Sequence, residues 1–115
     1  MRIAIPVFGQ RIAPRLDRAH EVLIFNCANG QEPDLAARLN WAEETILKRV
    51  KTLESQRVDW LICGALEPWA EEVIRGQGIQ VAAWISGTLE AILKELAGGG
   101  PQALESHSHQ FNWSD

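Results

Sequence analysis

The sequence predicts a single α/β domain built on a mixed sheet covered by helices. Three observations point there. Short β-branched runs separated by turn residues open the chain, segments of strand and helix period alternate in its second half, and 115 residues with 46% apolar content suit one core. At this length folding buries roughly two-thirds of the extended chain's surface, enough for a core without disulfides or structural metal.

Apolar residues alternate at Ile3, Ile5 and Val7, a strand pattern from Arg2 to Phe8 in which Pro6 removes one ladder donor. Gly9-Gln10 supplies a turn, and Arg11-Ile12-Ala13 returns as a short second strand stopped by Pro14. Val22-Leu23-Ile24-Phe25 reads as a third strand ended by Asn29-Gly30. Pro33 and Asp34 then mark a loop. Leu39, Ala42, Ile46, Val50 and Leu53 follow at three- and four-residue steps, which predicts a long helix beginning near Leu39, with Asn40 and Glu43 as a capping box or Asp34 as an earlier start. Glu44, Lys48, Arg49, Lys51 and Glu54 fall on its solvated face. Strand, helix, strand and helix are expected over Val58–Cys63, Pro68–Arg75, Gln80–Ile85 and Leu89–Ala97, with Pro68 in a first turn and Gly98-Gly99-Gly100-Pro101 as the final stop. The opening hairpin implies antiparallel pairing and the later crossovers parallel pairing. Residues 1–97 form the domain in this reading, and 98–115 a Gly/Pro linker with a flexible polar tail.

Eleven Lys and Arg against fifteen Asp and Glu leave a net charge of −4, so the average surface repels a phosphate backbone, and nucleic acid is not an expected partner. No apolar run approaches the ~20 residues needed to span a bilayer, and the N-terminal apolar stretch is too brief for a signal peptide. A cytoplasmic protein, with no membrane partner and with Cys27 and Cys63 as thiols, is the expectation.

In an open α/β sheet ligands bind beyond the carboxyl ends of the parallel strands. Phe8-Gly9, Gly64-Ala65-Leu66-Glu67 and Ser86-Gly87-Thr88 should converge there. Gly64 and Gly87 admit close approach to the backbone, and Ser86 and Thr88 add hydroxyl donors; ordinary turns and caps are the alternative. Arg11, Arg15 and Arg18 concentrate positive charge beside the hairpin, to hold an anion or to pair with Asp17 and Glu21. Cys63 ends a predicted strand, where a thiolate could reach a soft metal, although a lone Cys also serves as a small core residue. His20 is a second candidate ligand, and His107 and His109 form an incomplete pair. Of the five tryptophans, Trp41, Trp60, Trp69 and Trp84 are expected in core or interface packing. Nucleophile-elbow, Walker and zincin motifs are absent.

With these pieces placed, the chain resembles the dinitrogenase iron-molybdenum cofactor biosynthesis family, which includes nitrogenase accessory factors and orange proteins. The resemblance spans residues 1–97 and rests on Met1-Arg2-Ile3-Ala4-Ile5-Pro6-Val7, on Ala13-Pro14-Arg15-Leu16-Asp17-Arg18-Ala19, on Val58-Asp59-Trp60-Leu61-Ile62-Cys63-Gly64, and on Gly78-Ile79-Gln80-Val81 leading to Ser86-Gly87-Thr88-Leu89-Glu90. It implies a three-layer α/β/α ribonuclease H-like fold with a five-stranded mixed sheet, its first strands antiparallel and the rest parallel. It also implies a carrier of a metal-sulfur cluster or its precursor, of iron-molybdenum or molybdenum-copper sulfide type, that is not itself an enzyme. A cluster-assembly or acceptor protein would be its partner, and the chain itself a monomer or weak homodimer that can be empty when made recombinantly. In accessory members a His ahead of Phe-Gly ligates the cluster. Arg15-Leu16-Asp17 stands at that stretch here, and His20 does not inherit the role.

Such a guest is a compact polyanion of soft sulfides, so it needs guanidinium charge, N–H donors and an apolar wall. The expected assignments are Arg15 and Arg18 for charge, Gly64, Ala65, Gly87 and Thr88 for amides, Leu66 and Phe8 for the wall, and Cys63 in reserve. Two other readings are a metal-free regulatory or interaction domain and a metal-dependent nuclease using Asp17, Asp59 and Glu67.

Overall fold

The computed structural model describes residues 1–28 and 30–107. The chain runs through β1 (Arg2–Phe8), β2 (Arg11–Ile12), a 3-10 turn (Leu16–Arg18), β3 (Glu21–Asn26), β4 (Asp34–Asn40), α1 (Ile46–Ser55), β5 (Trp60–Ile62), α2 (Pro68–Gly76), β6 (Gln80–Ala82), α3 (Leu89–Gly99) and α4 (Pro101–His107). Five strands form a continuous path in the order β4-β3-β1-β5-β6, and β2 adds a sixth beside β1. β1, β3 and β4 pair antiparallel, whereas β1, β5 and β6 pair parallel. The expected split between antiparallel and parallel halves is present.

β1 lies at the centre because it can be buried on both faces. Ile3, Ala4 and Ile5 are wholly inaccessible to solvent. Ala4 faces one core with Val22, Ile24, Leu61 and Val81, against which Val50 and Leu53 of α1 and Ala70 and Ile74 of α2 pack. Ile3, Ile5 and Val7 face the other with Leu23, Phe25 and Ile62, under Ile92 and Leu96 of α3 and Leu104 of α4. The period of two thus sends alternate residues to opposite helical layers.

β2 has a positional role. β5 pairs with β1 only at Ile3 and Ala4, and β2 occupies the same side further along, at Val7 and Phe8. The chain leaving β2 therefore passes over the carboxyl end of β5. There the Ala65 N–H donates to Pro14 O at 2.7 Å and the Leu16 N–H to Ala65 O at 3.0 Å.

Three expectations need correction. The segment before residue 46 is not helical: Ala37 and Leu39 pair with Ile24 and Val22 as edge strand β4. Its pattern was obscured by an irregularity opposite Ile24 and Phe25, which breaks the alternation. Asn40 is no helix cap, because its Oδ1 accepts from the Ala42 N–H at 2.7 Å, and Thr45 caps α1 through the Lys48 N–H at 3.2 Å. Second, Arg49 is not on a solvated stripe and is only 3% exposed. Third, the chain past Gly98 is not all tail. α3 closes through Gly100 at φ 74°, and α4 follows and buries Leu104. His107 ends α4; His109, Phe111, Trp113 and the rest of the expected tail lie outside the described residues.

Candidate functional site

A groove of 430 Å³ opens beyond the carboxyl end of β5. Leu16 and Leu66, 1% and 5% exposed, form its floor, and Ile46, Pro68 and Trp84 its apolar sides. Arg15, Asp17 and Glu67 supply the charge. The Arg15 guanidinium is clamped by Asp17 through Nε to Oδ1 at 3.0 Å and Nη2 to Oδ2 at 2.9 Å. It is half exposed, so the pair orients the guanidinium more than it stabilises the fold.

Two smaller cavities adjoin. One of 270 Å³ shares Ala65 and Trp84 with the groove and is bounded by Arg11, Pro14, Gly64, Ser86 and Gly87. Another, of 280 Å³, shares Asp17 with the groove and is lined by Arg18, His20, Glu43, Glu44 and Arg49.

The expected site residues are distributed among these spaces. Arg15, Ala65 and Leu66 meet in the main groove, and Gly64 and Gly87 in the adjoining cavity, which Ala65 also lines. Ala65 is a wall and not an amide donor, since its N–H is held by Pro14 O. Thr88 caps α3, its Oγ1 accepting from the Ala91 N–H at 3.2 Å. Arg18 and His20 belong to the third cavity. Phe8, 65% exposed, lies against the His20 ring, with centroids 6.4 Å apart. Among the described residues no three His, Cys, Asp or Glu side chains group so as to hold a metal ion. Asp17 is engaged by Arg15, and Asp59 lies just ahead of β5, where its Oδ2 accepts from the Arg2 N–H at 2.8 Å. The nuclease triplet is therefore not assembled.

Cys63 is fully buried in the core beneath the rim. Burial pushes its thiol well above the usual range, and the Glu71 carboxylate adds to the effect. As pH rises past about 8.5, an unfolded cysteine loses a proton that the folded one keeps, so stability declines there by up to about 1.4 kcal/mol per pH unit. Cys63→Ala is expected to remove that component. Urea unfolding between about pH 8 and about pH 10 checks this, and an identical slope in the variant refutes it.

Sequence reasoning missed Arg49. Its Nη1 donates to Ala19 O at 2.6 Å and Leu16 O at 3.2 Å, its Nε donates to Glu44 O at 3.0 Å, and its Cζ sits 5.2 Å from the Trp41 ring centroid. Burial lowers its pKa, and Asp17 and Glu44 oppose that shift. The buried guanidinium ties α1 to the turn that carries Arg15 and Asp17. A signal existed, because Ile46, Arg49, Val50 and Leu53 follow the spacing of one buried helical face.

An open groove beyond the parallel strands of a helix-covered mixed sheet is the place where α/β domains of this class take ligands. The chain belongs to the family described as dinitrogenase iron-molybdenum cofactor, whose model matches residues 1–99. The search among curated proteins found no match. Among solved structures, that of PH0822 is similar with a TM-score of 0.78 at 16% identity, covering 86% of this chain and 90% of that one. The Thermotoga protein TM1290 gives 0.65 at 24% identity, over 85% and 88% of the two chains. The apo orange protein of Desulfovibrio gigas gives 0.65 at 18% identity, over 83% and 85%. At such identities the likeness is one of fold. No helix among the described residues is long and apolar enough to cross a membrane.

Proposed function

We propose that this chain binds and carries a metal-sulfur cluster or its precursor in the groove beside Trp84, without transforming it chemically. The observation that carries this reading is the combination of a 430 Å³ apolar groove with a guanidinium fixed at its edge. A sulfide polyanion brings its own metal ligands. It therefore asks the protein for charge and an apolar wall, not for a set of side-chain ligands, which is compatible with the described residues, among which no metal-holding group is assembled. Membership of the cofactor family supports the same class of guest, whether of iron-molybdenum or molybdenum-copper type. The strand order, with helices on both faces, supports a ribonuclease H-like description of the fold.

In this reading Arg15 supplies the charge and Leu66, Leu16 and Trp84 the wall. Gly64 and Gly87 line the neighbouring cavity, and Arg18 acts only through space. Cys63 is withheld from the guest by its burial. Free Cys27 and Cys63 suit a cytoplasmic setting, and delivery to an acceptor protein completes the role.

The test is retention of tetrathiomolybdate, alone and with copper, followed by visible absorption and elemental analysis after gel filtration. Arg15→Met is expected to weaken retention ten- to a hundredfold, at about 1.5 to 3 kcal/mol for a charge-assisted contact, while changing stability by less than about 1 kcal/mol. Arg18→Ala should have the smaller effect. A wild-type chain that retains no thiometallate, or an Arg15→Met variant that retains it unchanged, overturns the assignment.

A further inference from the structure

Trp84, with Ala65, lines both the main groove and the cavity that adjoins it. Trp41 and Trp60 are 1% and 6% exposed, as core tryptophans are, whereas Trp84 is 47% exposed. Its backbone lies at φ 64°, a region that a bulky L residue rarely adopts. The surrounding chain imposes that conformation. The Trp84 N–H donates to Gly64 O at 2.9 Å, and the Ile85 N–H donates to Cys63 O at 3.0 Å, so the segment leaving β6 is tied back onto the end of β5. Strain of this kind persists where the environment over-determines it, and here it coincides with a side chain turned toward a groove.

The groove's charge cannot explain which anion it prefers. A tetrahedral oxo dianion and its sulfide counterpart carry the same charge and shape, and the smaller oxo anion is the stronger hydrogen-bond acceptor, so Arg15 does not favour the sulfide. An indole ring, met at its positively polarised edge, can distinguish them. Sulfur is polarisable and gains from dispersion and contact with an aromatic ring, whereas a small hard oxygen keeps its hydration and gains little. We propose that Trp84 is the selectivity residue of this groove, favouring sulfide-coordinated metal anions over the corresponding oxo anions through contact with its indole. This rests on the carrier reading above and adds to it the residue that sets the choice of guest.

Equilibrium dialysis of the full chain against tetrathiomolybdate and, separately, molybdate tests it, with molybdenum measured by elemental analysis. Trp84→Gly is expected to lower the preference for the sulfide up to about tenfold, the upper size of one sulfur-aromatic contact, by weakening tetrathiomolybdate more than molybdate. Trp84→Phe should keep the preference, and Arg15→Met should weaken both anions without lowering the preference for the sulfide. Independently of any guest, Trp84→Gly should melt about 4 °C above Trp84→Ala, because only glycine relieves the left-handed backbone. An unmoved ratio in Trp84→Gly, a ratio lost equally in Trp84→Phe, or Trp84→Ala melting at or above Trp84→Gly overturns the role of Trp84 while leaving the carrier reading intact. If the wild-type chain binds no thiometallate, the carrier reading fails and this inference falls with it.

Discussion

Arg49→Met is expected to destabilise the protein by about 3 kcal/mol and to lower its melting temperature by roughly 10–15 °C. The side chain is 3% exposed, and its guanidinium serves carbonyl oxygens in two separate segments, Leu16 and Ala19 in the turn and Glu44 ahead of α1. Methionine fills much of the volume but donates nothing, so acceptors in a buried setting lose their charged donor. Charge-assisted hydrogen bonds contribute about 1.5 to 3 kcal/mol each, and relief of the guanidinium's own desolvation offsets part of their loss. The Trp41 ring also loses its cation neighbour, and Trp41 Nε1 is itself buried without a partner. Arg49→Lys should recover less than half of the loss, because one ammonium cannot span acceptors that a planar fork reaches together. Chemical unfolding of the three proteins measures both effects, and a methionine variant within about 1 kcal/mol of wild type would show that the turn holds itself.

The consequence for the site should be separable from the consequence for the fold. Arg49 does not itself line the main groove, yet it holds the Leu16 carbonyl beneath the floor and anchors the turn on which Arg15 and Asp17 sit. Faster amide exchange at Leu16, Arg18 and Ala19 under conditions where Arg49→Met remains folded is the local signature to look for.

The elements legible in the sequence were those whose pattern had one reading. β1 alternates without interruption and also forms the centre of the sheet. β4 does not, because Leu35 and Ala37 face Phe25 and Ile24 across an irregular step, and the residual spacing of Leu39, Ala42 and Ile46 happens to match a helix. α4 was hidden because Leu104 is its residue in the core cluster and Pro101 is buried at its start, too few positions to set a period. At the site, the loops that the topology brings to the ends of the parallel strands could be named in advance, since glycines and hydroxyls there follow from general rules. Which of their amides remain free could not. The Ala65 N–H is taken by Pro14 only because β2 steps into the place that a short β5 leaves beside β1. The left-handed backbone of Trp84 has no local signal either, since nothing in the side chain favours it.

Gly64→Ala is expected to cost about 3 kcal/mol and to weaken thiometallate retention about tenfold, from one added methyl group. The requirement is proximity and not backbone conformation. A Cβ on Gly64 would meet Pro14 O, would come within 2.5 Å of Ala13 O and would lie 2.8 Å from Pro14 C, all of them backbone atoms. No side chain can rotate aside. The strand end and the hairpin return must separate, and with them go the hydrogen bonds of Ala65 with Pro14 and Leu16 that seat the floor and edge of the groove. Gly76→Ala provides the control: it closes α2, a Cβ there meets nothing within 4 Å, and the substitution should be neutral or stabilising by about 0.5 kcal/mol. Urea unfolding and retention measured on both variants decide the matter. If Gly64→Ala is as stable as Gly76→Ala, the close crossing of the hairpin over β5 is not what holds the groove open; if it is destabilised yet keeps its guest, the groove does not depend on that crossing.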